Sequence, residues 1–189
     1  MGGALKNLAL VAACALAMTA CASESYQIPA MEASEGGDQK TAASLAKKEV
    51  ARFSTPDQCS PASTLNCGTL ALAYGTLAGY QIMDGDRTAG EGSFRSAKEA
   101  LGLTDLEIRP SATAMVYRDV SEAFWKIGDR ARAIDVFKEG RTAGGDKYLY
   151  MSSAARFADQ QPVGQQPVDQ KPTDSPKAYA GIPAPVQSD

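Results

Sequence analysis

Apolar residues in the middle of this chain recur at three- and four-residue intervals, the signature of helices with one buried face. Residues 117–137, YRDVSEAFWKIGDRARAIDVF, set Tyr117, Val120 and Phe124 along one side. The pattern stops at Gly128-Asp129 and resumes with Ala133, Ile134 and Phe137. A glycine closes a helix by adopting the left-handed conformation, and the aspartate after it caps the next one. Two short amphipathic helices joined so tightly fold back as an antiparallel pair. Ala133 is small enough to let the pair close, and Phe124 and Phe137 fill the space between.

The same arrangement occurs once more upstream. When Gly85-Asp86-Arg87 is superposed on Gly128-Asp129-Arg130, Tyr74 falls on Tyr117, Leu77 on Val120, Ala78 on Ser121, Gly90 on Ala133 and Phe94 on Phe137. Residues 67–83, CGTLALAYGTLAGYQIM, carry no charge but are too short and too rich in glycine and threonine for a comfortable membrane crossing. They read as a buried helix whose Gly75-x-x-x-Gly79 permits close packing in a hairpin. The two turns lie 43 residues apart, and the surplus falls at 103–111, where Pro110 forbids continuous helix and a loop or longer helix end is expected.

The order of aromatic, spaced aliphatic, second aromatic, Gly-Asp turn, small residue and third aromatic resembles the tetratricopeptide repeat. At 34 residues per unit, copies would cover about 71–104 and 114–147. Ser121, Gly140 and Gly145 depart from the pattern, as does Gln81 opposite Phe124. The resemblance implies an all-α domain of antiparallel hairpins, with about two repeats and flanking helices. It also implies a partner groove on the first helices, carried onto Arg118, Glu122, Trp125 and Lys126, and onto Leu72, Gly75, Gly79, Ile82 and Met83. Trp125 has two equal readings: a groove anchor, or a core residue packed under the chain's last helix.

Around these hairpins the pattern weakens. Residues 22–40 are small, polar and acidic, and read as a flexible tether, whereas 41–53 read as a helix with Leu45, Ala46, Val50 and Phe53 on one side. Proline places a loop at 54–65. Residues 147–157 read as a last helix whose Tyr148, Met151 and Ala155 cover the open end of the stack. The domain expected is 41–157, followed by a Pro/Gln-rich tail at 158–189 that cannot bury a core.

Residues 1–20 have the build of a secretory leader, with Lys6, an apolar core and small residues. Met18-Thr19-Ala20-Cys21 resembles the lipobox of bacterial lipoproteins. That resemblance implies cleavage before Cys21, acylation there, and, with Ala22 next, an outer-membrane address facing the periplasm. Cys59 and Cys67 are the two thiols of the exported part outside that anchor, and a disulfide is the default in an oxidising compartment.

Composition mostly excludes. The chain has 19 basic and 22 acidic residues, so it has no broad electrostatic reason to bind nucleic acid. Loss of Lys6 with the leader takes the net charge from −3 to −4. It contains no histidine, which removes imidazole bases and His-ligated zinc. No phosphate-cradling glycine loop precedes a Lys-Ser/Thr pair. The expectation is therefore no enzyme, no cofactor and no metal. The chain reads as a lipid-anchored scaffold binding a protein partner in an envelope machine for pilus, secretion or outer-membrane protein assembly. The alternatives are a peptidoglycan- or polysaccharide-associated accessory protein, which an exposed row of aromatics would favour, and a structural spacer.

Overall fold

The structure is a computed structural model and describes residues 25–160. The leader, Cys21 and residues 161–189 lie outside the described residues. The described residues are all-helical: α1 Gln27–Glu35, α2 Gln39–Phe53, α3 Cys67–Met83, α4 Arg87–Leu103, α5 Arg109–Lys126, α6 Arg130–Thr142, a 3-10 turn at Leu149–Met151, and α7 Ala155–Ala158. Among the described residues no helix is long and apolar enough to cross a membrane.

Three antiparallel hairpins, α1–α2, α3–α4 and α5–α6, share one turn. Gly37, Gly85 and Gly128 all have positive φ, at 86°, 89° and 87°, which a side chain would resist. The aspartate after each donates its N–H five residues back, to the carbonyls of Ala33, Gln81 and Phe124. Its carboxylate then accepts the N–H three residues on: Thr41 at 2.9 Å, Ala89 at 3.0 Å and Arg132 at 3.1 Å. Each turn thus satisfies orphan groups of both helix ends.

The first hairpin corrects the tether expected at 22–40, because residues 27–35 are helical. Only Ala30 of α1 is buried, so there was little apolar periodicity to detect. Pro29 falls in the first turn, where its missing N–H costs no hydrogen bond. The start of α1 is tied down by Glu49, a buried carboxylate on α2. It accepts from the Tyr26 N–H at 3.0 Å and the Ser25 hydroxyl at 3.2 Å, and pairs with Arg52 at 2.8 Å.

The uncharged α3 is the centre of the domain and packs against α2, α4 and α5. Its Gly75-x-x-x-Gly79 meets α5 of the next hairpin rather than its own hairpin partner. A Cβ on Gly75 would lie 3.2–3.3 Å from Val116, and one on Gly79 would lie 3.6 Å from the Asp119 carbonyl. Within each hairpin the small residues work differently. Gly90 receives the Ile82 side chain, and the buried Ser121 hydroxyl donates to the Ala133 carbonyl at 2.9 Å. Across the stack, α4 and α6 are bridged by Glu91–Arg132 at 2.9 Å and Lys98–Glu139 at 3.0 Å.

The link between α4 and α5 is only 104–108, with Pro110 in the first turn of α5, so the extra spacing is taken up by long helices. Cys59 and Cys67 form a disulfide that pins the 54–66 loop to the start of α3. The expected last helix at 147–157 is instead the 3-10 turn and the short α7. Leu149, Ala154 and Ala158 cover the α5–α6 hairpin, whereas Tyr148 and Met151 are exposed.

Candidate functional site

Where α3 and α5 cross, glycine and alanine keep the helices close and a crevice of about 230 Å³ opens beside the crossing. Thr76, Gly79, Tyr80 and Met83 line it from α3, and Asp119, Glu122, Ala123 and Lys126 from α5. Each set is spaced i, i+3, i+4, i+7, a single helical stripe. The two stripes correspond position for position under the 43-residue offset of the turns.

Its polar groups are partly committed. Asp119 Oδ1 accepts from Arg118 Nε at 3.0 Å and Nη2 at 2.8 Å. Burial in the crevice nevertheless holds the Asp119 carboxyl above the usual aspartate range, against the pull of Arg118 and Lys126. Burial likewise raises the Tyr80 phenol, helped by the negative charges of Asp119 and Glu35. Glu122 accepts from both the N–H and the hydroxyl of Ser153, so it fastens the C-terminal segment to α5. Lys126 is exposed and makes no ion pair among the described residues.

Of the groove positions expected from sequence, Glu122 and Lys126 line the crevice with Gly79 and Met83. Arg118 stands behind it, holding Asp119. Ile82 does not line it and is a correction: its side chain is fully buried over Gly90. Trp125, its equivalent one offset on, is turned the same way. Its ring lies 5.1 Å from Phe157 and carries the Arg130 guanidinium 3.7 Å from its centroid. Thus Trp125 packs against the C-terminal segment, as its second reading expects, but it stays half-exposed rather than closing the core. Sequence reasoning missed Thr76, Tyr80, Asp119 and Ala123. The 43-residue offset, combined with the stripe spacing, was the signal that pointed to them.

A second concave region, of about 520 Å³, lies at that C-terminal end between Trp125, Tyr150, Met151, Ser152, Ser153, Arg156 and Phe157. Tyr150 and Phe157 are its exposed rings. Chemically, the crevice offers a carboxylate, a phenol, an ammonium and a thioether wall, a set suited to recognition through hydrogen bonds and apolar contact. Among the described residues no group of three or more His, Cys, Asp or Glu could hold a metal ion. No family model, curated protein or solved structure matches this chain.

Proposed function

We propose that this protein is a lipid-anchored envelope scaffold whose tetratricopeptide-like hairpins hold a protein partner in the α3–α5 crevice. In this reading Cys21 carries the acyl anchor at the outer membrane and the helical domain faces the periplasm. The observation that carries the reading is the paired stripe 76/79/80/83 and 119/122/123/126. Equivalent positions of successive hairpins leave one continuous strip with small residues at its floor and side chains of mixed character at its rim. Such a strip suits an extended or helical segment of another protein, which gains affinity by burying Met83 and Tyr80 and by meeting Asp119 and Lys126. The reading is of binding, not catalysis.

The test is crosslinking and purification of the full-length lipidated chain from its own envelope. A partner recovered with the parent chain should be lost from Met83→Arg and Lys126→Glu variants, and kept by Asp135→Ala on the exposed side of α6. Retention by both crevice variants would dismiss the crevice as the docking site.

The exposed rings of Tyr148, Tyr150 and Phe157 favour a second reading, the glycan-associated accessory protein. Aromatic faces stack on the C–H faces of sugar rings while a nearby Arg156 offers hydrogen bonds. Co-sedimentation with purified peptidoglycan, abolished by Tyr150→Ala, would favour it over the protein-binding reading.

A further inference from the structure

We infer that the N-terminal end of α1, with Tyr26, Ile28, Pro29, Met31 and the neighbouring Lys48, seats the domain directly on the lipid surface; this rests on the reading of Cys21 as the acylated anchor. The inference follows from where α1 is fastened to the domain. Glu49 holds Ser25 and the Tyr26 N–H against α2, so the chain leaves the domain at a fixed point. Four residue steps separate Ser25 from Cys21, and a fully extended chain spans at most ~3.6 Å per residue. The start of α1 therefore lies within roughly 14 Å of an acylated Cys21, about twice the depth of one headgroup layer. The 19-residue tether that the sequence suggested would have let the domain float free. This short link holds it down.

The surface brought there has the chemistry of a membrane interface. Ile28 is 63% exposed and Met31 49%, at i and i+3 on the outward side of α1. Both keep much of their apolar surface open among the described residues. Tyr26 stands at the helix start with Lys48 Nζ 5.5 Å from its ring centroid. A tyrosine and a lysine beside apolar residues are the anchoring types of the lipid–water boundary, the ring among headgroups and the ammonium on phosphate. The acidic residues of α1, Glu32 and Glu35, continue the same exposed stripe at i+4 and i+7 from Ile28, but they fall in its C-terminal half, and Glu24 lies in the link to Cys21. The helix is thus apolar nearest the anchor and acidic away from it. It would dip its N-terminal half, through Met31, into the interface and keep its far end in water.

The test uses the full lipidated chain in vesicles of phosphatidylethanolamine and phosphatidylglycerol. With the leader and its Cys14 removed, Cys21 acylated and Cys59 joined to Cys67, an introduced cysteine is the only free thiol. Ile28→Cys and Asp135→Cys variants are each labelled with an environment-sensitive fluorophore, and mass spectrometry reads acylation separately. The expected result is a blue-shifted emission at position 28, with quenching by a lipid-borne quencher several-fold stronger than at position 135. A further Lys48→Glu change should reduce that quenching. Equal solvation at both positions in acylated protein would overturn the seating and leave the anchor standing. Protein found without acyl chains would remove the anchor and the seating together.

Discussion

Gly140 on α6 lies directly beneath Tyr117 on α5, and a Cβ built there would come within 2.6 Å of the Tyr117 Cβ. The contact is with the root of the side chain, which cannot swing away. The Tyr117 ring is held from its other side too, edge-on to Phe94 with centroids 5.0 Å apart, and its hydroxyl donates to Glu139 at 3.2 Å. Gly140→Ala should therefore destabilise the domain by roughly 1–3 kcal/mol through overpacking, although alanine is the better helix former by about 1 kcal/mol. Urea unfolding followed by circular dichroism measures it, and a stabilised variant would show that the hairpin has slack.

Adjacent residues on α3 should respond oppositely. Ile82 is fully buried, so Ile82→Ala should cost roughly 2–5 kcal/mol, while Met83→Ala at the crevice rim should change stability far less. Trp125→Ala should fall between them, at roughly 2–4 kcal/mol, because its ring packs on Phe157 and Arg130 yet stays half-exposed. Similar melting temperatures for the Ile82 and Met83 variants would contradict this assignment of faces.

The Cys59–Cys67 disulfide closes a short loop, with a sequence separation of 8. Reduction and alkylation should lower stability by roughly 2–3 kcal/mol in the chain-entropy account. Alkylation of the denatured, unreduced mature protein should leave both residues unlabelled. Labelling of either would show that the pair is open.

One ion pair gives a pH dependence of known sign. Glu91 accepts from Arg132 Nε at 3.0 Å and Nη2 at 2.9 Å, and these bonds hold its carboxyl below the ordinary glutamate value of 4.5. A depressed carboxyl stabilises the fold above its ordinary value and loses that contribution as pH falls from that value through the lowered one. The pair is partly exposed, so the effect at neutral pH is at most about 1 kcal/mol. Arg132→Gln should lower the melting temperature at pH 7 and converge with the parent chain below the ordinary glutamate range. A constant gap across that range would assign the loss to packing instead.

Burial makes some of these residues legible in the sequence and hides others. The α5–α6 hairpin could be read directly, because Tyr117, Val120, Phe124, Ala133 and Phe137 are all buried and recur at helical spacing around a Gly-Asp turn. Helix α3 could be read as buried because it carries no charge. The Gly36-Gly37-Asp38 turn was equally visible, but α1 buries only Ala30 and so lacks the periodicity that marks a helix. Its order comes from Glu49, whose carboxylate reaches the Tyr26 N–H from 23 residues away. The direction in which Ile82 and Trp125 point was likewise decided by packing: sequence spacing places them on the first helix of a hairpin but does not fix its rotation. That rotation is set where Gly75 and Gly79 meet Val116 and Asp119, since glycine there lets the two backbones approach. Local spacing therefore determined which segments are helical and how they turn, while close contacts between distant residues decided which stripe faces the crevice and how α1 is held.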